Sequence, residues 1–304
     1  MDADKPAAAD AARSRAGAGE EWTVGRLLAW TTDWLAARGS DAPRLEAEVR
    51  LALVRGCPRI ALYTAFDQPV AEAERGRFRD LVKRRGAGEP VAHLVGSREF
   101  FSLPFTVTRD VLVPRPETEG LVVRVLDLCR GLESPRIVDV GTGSGAIAVT
   151  VAKQLPRARV AATDISAAAL AVARTNAERH GVADRIEFIG CDLLADLRAA
   201  GPWDVIVSNP PYVREDEFET LPPDVRLYEP RTALVAGPTG VEVVGRLATG
   251  AAARLVPGGW IVIEIGPAVA EAAVAVLAAA ADLVPGPTLK DLAGLPRIVQ
   301  ARRQ

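Results

Sequence analysis

The chain has 304 residues, of which 49% are hydrophobic and 25% charged, with a formal net charge of −2. That balance fits a globular protein with room for one large and one small domain, and it excludes a disordered chain. A pI of about 5.9 argues against bulk electrostatic binding of nucleic acid, and no apolar run approaches the roughly 18 residues that span a bilayer. The N-terminus lacks the basic-then-apolar layout of a secretory signal. Cys57, Cys129 and Cys191 are far apart and without CxxC spacing, so neither a disulfide framework nor a zinc site is expected, and a reducing, cytoplasmic setting fits.

Residues 1–20 form an Ala-rich stretch with almost no large apolar side chain, which cannot offset its own ordering entropy and is expected to be a disordered tail. Residues 21–86 then show helical periodicity: Leu27, Trp30 and Trp34; Leu45, Val49 and Leu53; Phe78, Leu81 and Val82. Punctuation by Gly39, Gly56 with Pro58, and Pro69 predicts a small helical bundle. Arg85-Gly86-Ala87-Gly88-Glu89-Pro90 reads as a linker, and residues 87–113, with β-branched and aromatic residues around Gly96, Pro104 and Asp110, as a bridge of short strands.

Residues 114–304 alternate apolar strand-like runs with helical stretches. Strands are predicted at Ile137 to Val140, Val160 to Thr163, Ile186 to Ile189, Val205 to Ser208 and Trp260 to Ile265. Helices are predicted near Ala146 to Gln154, Ala167 to His180, Val241 to Leu255 and Pro267 to Ala281. The alternation implies an α/β fold with a mostly parallel, doubly wound sheet. Leu283 to Lys290 and Arg297 to Ala301 are expected to add an antiparallel edge strand.

Ile137-Val138-Asp139-Val140 runs into Gly141-Thr142-Gly143-Ser144-Gly145, a glycine-rich turn that opens a helix at Ala146. Glycines here permit positive φ and let the backbone approach a ligand. The pattern also passes as GxGxxG, so a nicotinamide dinucleotide competes with other adenosine cofactors, and a plain structural turn is a further reading. Asp164, at the tip of the second strand, is placed to accept hydrogen bonds from ribose hydroxyls, which supports adenosine without choosing between cofactors.

Asp204 to Ser208 is a strand, and Asn209-Pro210-Pro211-Tyr212 follows at its C-terminal end, where open α/β sheets bind ligands. Two prolines stiffen the turn in advance. An amide nitrogen is a poor nucleophile, but its two hydrogens can be accepted by the Asn209 side-chain oxygen and the Pro210 carbonyl. That would orient the nitrogen and absorb the positive charge that develops as it attacks. Tyr212 would lie against the planar group. The alternative is that Asn-Pro-Pro is a simple turn, but its position after the fourth strand of a sheet with a glycine-rich first turn favours the functional reading.

Asn209-Pro210-Pro211-Tyr212 resembles the signature of amino methyltransferases that act on planar nitrogens, either adenine N6 or glutamine N5. Val111-Leu112-Val113-Pro114-Arg115-Pro116-Glu117-Thr118-Glu119 resembles the PRPETE segment of the protein-glutamine branch. Gly96 to Phe101, Tyr228 to Leu234 and Asp291 to Arg297 are also similar to that branch. The match runs from about Trp22 to the C-terminus and is to the bacterial release-factor glutamine methyltransferases of the PrmC/HemK kind.

The resemblance implies a class I, Rossmann-like methyltransferase domain over 114–304 and a helical substrate-recognition domain over 21–86. Its methyl donor would be S-adenosyl-L-methionine, and its substrate the glutamine of the Gly-Gly-Gln loop of peptide-chain release factors. A monomer is expected, with no membrane and no direct nucleic-acid substrate.

Carried over for the cofactor are Gly141, Thr142, Gly143, Ser144, Gly145 and Asp164, with Asp192, Leu193 and Asn209 close by. Relatives often have an aromatic residue where Leu193 stands, so the packing on adenine is expected to differ. Asn209, Pro210, Pro211 and Tyr212 are the expected catalytic and glutamine-binding turn, with Phe100 and Arg115 as pocket walls. An adenine-N6 enzyme, a ribosomal-protein glutamine methyltransferase and a non-catalytic cofactor-binding protein are the competing readings.

His93 and His180 are too isolated to form a ligand set, and His180 reads as a helix C-terminus. The run Arg75, Arg77, Arg79, Lys83, Arg84 and Arg85 reads as a solvated face, with a contact to a release factor or to RNA as the alternative.

Overall fold

The computed structural model describes residues 21–195 and 201–304; the tail expected over residues 1–20 lies outside them. The chain divides into a helical unit ending at Val95 and an α/β unit beginning at Gly96.

In the helical unit, α1 (Val24–Ala36) starts at Thr23, whose side chain accepts from the Arg26 amide, and α2 (Pro43–Arg55) ends at Gly56 in the left-handed conformation. The short α3 (Ile60–Thr64), the longer α4 (Glu72–Gly86) and the short α5 (Val91–Val95) follow. The core holds Val24, Leu28, Leu51, Leu62 and Phe78. Leu27 and Phe78 are buried as the periodicity predicts, whereas Leu45 and Leu53 are exposed. On α2 it is Ala47, Leu51 and Val54 that turn inward, because Arg50, fully buried, occupies the same face and is held by Glu46 at 2.5 Å.

The segment read as a linker is folded back. Arg84 makes two 2.7 Å bonds to Glu89, a fork that fits a carboxylate. Val91–Val95 is therefore a helical turn of the first unit, where a strand-rich bridge was expected. Within the basic run, Arg75, Arg79, Arg84 and Arg85 all pair with glutamates, as a solvated, ion-paired face would.

The α/β unit opens with the hairpin β1 (Ser97–Phe100) and β2 (Leu103–Thr106). Its turn residues Phe101 and Ser102 both have positive φ, the geometry of a tight hairpin turn whose twist matches the strands. The Phe101 amide donates to Glu119 at 2.8 Å, which anchors this conformation to α6 (Glu119–Leu128).

There follow β3 (Arg136–Val140), α7 (Ala146–Gln154), β4 (Arg159–Asp164), α8 (Ala167–Arg179), β5 (Ile186–Gly190) and β6 (Trp203–Ser208). Next come β7 (Val213–Arg214), α9 (Pro223–Tyr228), β8 (Val235–Gly237), α10 (Glu242–Ala251), β9 (Leu255–Glu264) and α11 (Ala270–Ala279). The chain ends with β10 (Leu283–Pro285), β11 (Leu289–Lys290) and β12 (Pro296–Arg303).

The main sheet has the order β10-β12-β9-β6-β3-β4-β5, with β11 paired to β12. β12 runs antiparallel to β9, and the strands from β9 to β5 are parallel. Of the terminal segments expected at the edge, β12 is inserted between β9 and β10, so the edge itself is β10.

Successive strand residues feed opposite cores. Ile137, Val205, Val207 and Val262 pack with α6 and α7. Val138, Ile206, Ile261 and Ile263 pack with α10 and α11. Burial on both faces is why these strands read as continuous apolar runs and not as alternating ones. β3 lies between β4 and β6, so the crossovers leave in opposite directions from it and open a crevice at the C-terminal strand ends. Val140 is in register with Thr163 on one side and Ser208 on the other. Gly141, Asp164 and Asn209 are thereby brought to the same edge.

Candidate active site

A cavity of about 550 Å³ opens at that edge, within the size range of small-molecule sites. Gly141, Thr142, Gly143, Ser144, Asp164, Asp192, Leu193, Asn209, Pro210, Pro211 and Arg115 all line it. Residues chosen from five separate stretches of sequence thus share one wall system.

The glycine loop is shaped for a ligand. Gly141 and Gly143 have φ of +71° and +55°, and a Cβ on either would enter open space, so the left-handed backbone and not crowding demands glycine there. Gly145 differs. A Cβ there would come within 3.1 Å of Ala173, so this glycine serves the packing of α7 on α8 and stands behind the cavity.

The loop is braced from below. Asp139 accepts from the Thr142 hydroxyl at 2.6 Å and from the Ala148 amide at 3.1 Å. Burial pushes the Asp139 carboxyl up to about 7, with nearby Asp164 adding to the effect and the two hydrogen bonds opposing it. The Asn176 amide group donates to the Ser144 carbonyl at 2.8 Å and to the Thr106 carbonyl at 3.0 Å, and its oxygen accepts from the Thr106 amide at 2.7 Å. One buried side chain therefore ties the glycine loop to β2.

Asp164 closes the other side. Its two oxygens accept from the Gly143 amide and the Ser166 amide, both at 2.9 Å. Each carboxylate oxygen has a second lone-pair direction, so the group can position the loop and still accept from a ligand hydroxyl. Asp192 pairs with Arg246 of α10 at 2.6 Å across the cavity mouth. Leu193 has a positive φ of 53°, and its carbonyl accepts from Thr163, so the apolar side chain at this position sits on a fixed backbone.

Asn209 leads the stiff turn. Its Nδ2 donates to the Thr118 hydroxyl at 3.1 Å, which leaves Oδ1 as its acceptor atom. Ser208 beneath it donates to the Val140 carbonyl at 2.7 Å, locking the turn to the end of β3.

Two expected residues are placed differently. Tyr212 is not among the cavity-lining residues. Its ring covers Gly266, where a Cβ would approach to 3.1 Å, and burial next to Glu264 pushes its hydroxyl up to about 12. Phe100 is 1% exposed and edge-on to Phe105 in the core, because β1 turns this side chain inward. Arg115 does line the cavity, and it pairs with the buried Glu229 at 2.5 Å. This joins the PRPETE-like segment to the Tyr228–Leu234 segment. Burial raises the Glu229 carboxyl while Arg115 opposes that rise.

Thr118 stands inside the PRPETE-like segment without an expected role, and Glu264 lies outside the motifs. The Thr118 hydroxyl, 4% exposed, accepts from Asn209, and Glu264, the last residue of β9, is 2% exposed with its Oε2 buried and without a hydrogen-bond partner among the described residues. Burial lifts the Glu264 carboxyl to about 7. The available signal was a lone carboxylate inside the apolar run Ile261 to Ile265. His180, at the end of α8, hydrogen-bonds the Pro104 carbonyl at 3.0 Å, in line with a structural role.

The PrmC N-terminal domain model matches residues 26–96 and the methyltransferase small domain model matches residues 120–221. The chain is 46% identical over 286 residues to the release factor glutamine methyltransferase of Rhodopirellula baltica, covering 93% of this chain and 97% of that protein. The chain belongs to the release factor glutamine methyltransferase family. A second member, from Bordetella pertussis, is 46% identical over 256 residues, covering 84% of this chain and 93% of its own. Among solved structures, the hMettl16 catalytic domain in complex with the MAT2A 3'UTR hairpin 6 matches with a TM-score of 0.53 and 19% identity. It covers 73% of this chain and 81% of that one, and establishes the shared methyltransferase fold.

Proposed function

We propose that this chain transfers a methyl group from S-adenosyl-L-methionine to the side-chain N5 of the glutamine in the Gly-Gly-Gln loop of peptide-chain release factors. The observation that carries the proposal is the Asn209 carboxamide, its NH2 engaged by Thr118, at the mouth of a glycine-cradled cavity whose Cβ positions are open. Family membership supplies the class of substrate. The cytoplasm, where translation takes place, is the expected compartment, and among the described residues no helix is long and apolar enough to cross a membrane. We read the enzyme as a monomer.

The residues present fit the donor. Gly141 and Gly143 let the backbone approach it, and Asp164 is placed for ribose hydroxyls at the switch point of the sheet. The donor, when bound, supplies an electrophilic methyl on a sulfonium. The protein's part is orientation and electrostatics. Asn209 Oδ1 and the Pro210 carbonyl accept the two amide hydrogens, hold the nitrogen in one pose, and stabilise the positive charge that grows on it. Arg115, held by Glu229, forms the facing wall of the cavity. Tyr212 supports the turn from behind. The helical unit is assigned the recognition of the release factor, and its PrmC N-terminal match supports that assignment.

Incubation with methyl-labelled S-adenosyl-L-methionine and a release-factor fragment, followed by peptide mass spectrometry, tests the proposal. Label on the loop glutamine is expected. A fragment with glutamate at that position should remain unlabelled, because two acceptor oxygens facing a carboxylate find no hydrogens, and such sites reject mismatched groups heavily. Equal labelling of the glutamate fragment would refute amide recognition.

A further inference from the structure

An α-helix pairs each amide with the carbonyl four residues back. At the start of α7 the Val149 amide does so, donating to the Gly145 carbonyl at 2.8 Å. One residue earlier the same rule would join the Ala148 amide to the Ser144 carbonyl, and that bond would draw the glycine loop into the helix. Both groups are met by side chains from β3 and α8 instead. The Ala148 amide donates to Asp139 at 3.1 Å, and the Ser144 carbonyl accepts from Asn176 at 2.8 Å.

Asn176 is the one polar residue on the buried face of α8, among Ala169, Leu170, Val172, Ala173 and Ala177. Burying a carboxamide is costly unless its hydrogen bonds are met, and here they are met by backbone alone. Nδ2 gives its second hydrogen to the Thr106 carbonyl at 3.0 Å, and Oδ1 accepts from the Thr106 amide at 2.7 Å. These partners fix the orientation of the group, since a half-turn would set its oxygen against two carbonyls and its NH2 against an N–H. Ala173, one turn earlier on α8, is the residue that a Cβ on Gly145 would meet at 3.1 Å. The helix therefore lies directly behind the loop.

Thr106 ends β2. From it the chain continues through Val107, 2% exposed, into the stretch Arg109, Asp110, Val111 and Leu112 that lines the cavity, as Ser144 does. One side chain thus clamps the roots of two cavity walls. With 0% of its surface exposed, it does so from behind and touches no ligand. Resting on the reading that this cavity holds S-adenosyl-L-methionine, we infer that Asn176 is a positioning residue for the methyl donor. It keeps the Ser144 carbonyl out of α7 and sets the glycine loop against the wall of residues 109–112, so that the donor meets a preformed site.

Two substitutions probe the clamp. Asn176→Asp keeps nearly the same volume and the acceptor for the Thr106 amide, but turns an oxygen toward the two carbonyls. Asn176→Ala removes all three bonds. Both should weaken binding of S-adenosyl-L-methionine to the full chain by about tenfold or more, the scale expected when a buried carbonyl is left unmet. Calorimetry well below the melting temperature measures it. Single-turnover methyl transfer to a release-factor fragment at saturating donor should stay within about threefold of the parent, because the Asn209 turn is untouched. If the alanine variant does not fold, Asn176→Ser carries the same expectation.

Leu277→Ala, at a fully buried position of α11 in the opposite core, controls for lost stability alone. It should lower the melting temperature at least as far and leave donor affinity at the parent value. Parent-like donor binding in the Asn176 variants would overturn the inference, as would an equal loss of affinity in Leu277→Ala. A parent that binds the donor but leaves the release-factor glutamine unlabelled would instead overturn the proposed function, while the affinities would still decide the role of Asn176.

Discussion

The chemistry assigned to Asn209 depends on a single acceptor atom. Replacement by alanine removes that acceptor at the reacting centre, and methyl transfer should slow by about 100-fold or more. The melting temperature should stay close to the parent's, since Pro210 and Pro211 still stiffen the turn. Asn209→Asp keeps an oxygen in nearly the same place and should retain more activity than the alanine variant. Single-turnover rates at saturating cofactor isolate this effect, and an alanine variant as fast as the parent would remove Asn209 from the mechanism.

Buried carboxyls near the site have a second consequence. Glu264 and Asp139 are both raised to about 7, by burial above all. A raised carboxyl binds more protons folded than unfolded, so its contribution to stability is fully present below its unfolded value, 4.5 for Glu264, and is lost as pH rises through about 7. Glu264→Gln cannot ionise and should flatten the decline in stability across that window. The difference should be on the order of 2–3 kcal/mol, read from urea unfolding at a series of pH values. Parallel pH curves for parent and variant would contradict the burial argument.

At the level of elements, the helical unit is organised around an ion-pair cluster on α2. Glu46 holds the fully buried Arg50 at 2.5 Å and Arg85 of α4 at 3.0 Å. Burial pushes the Glu46 carboxyl up, but hydrogen bonds from Arg85, Arg50 and Ser40 outweigh it and leave the group below its ordinary value. Glu46→Ala would strand Arg50 in the core, a change that typically costs about 3–5 kcal/mol. The loss should appear as a lowered melting temperature at pH 7. Because the depressed carboxyl stabilises the fold above its unfolded value, 4.5, the gap between parent and variant should narrow as pH falls below it. A melting temperature within a degree or so of the parent's would show that the cluster is solvated. The helices themselves were legible from periodicity. The inward face of α2 was not, since Leu45, Val49 and Leu53 form as good a stripe as Ala47, Leu51 and Val54, and only the neighbours of α2 choose between them.

For the whole molecule, the cavity-lining residues all lie beyond residue 96, while the helical unit ends at Val95. Hydrogen exchange measured by mass spectrometry should separate two ligands. S-adenosyl-L-methionine should protect peptides containing Gly141 to Ile147, Asp164 to Ala169, and Asp192 with Leu193, leaving those of α1 to α4 unchanged. A release-factor fragment should add protection within the helical unit. Absence of that added protection would remove the recognition role assigned to it.

The sequence by itself determined the parallel α/β sheet, because strands buried on both faces must be apolar throughout, as Ile137 to Val140 and Val205 to Ser208 are. It also determined the glycine loop, where Gly141 and Gly143 adopt backbone angles that side chains resist, and the stiff Asn209 turn, where proline restricts φ locally. These are properties of single residues or of short periods. The tertiary structure alone decided that β12 is inserted beside β9, that Phe100 faces the core, and that Tyr212 lies behind the turn on Gly266. Thr118 and Asn209 are 91 positions apart in the chain, and the hydrogen bond between their side chains exists because the whole fold brings the PRPETE-like segment to the end of β6, a long-range result that no local pattern encodes.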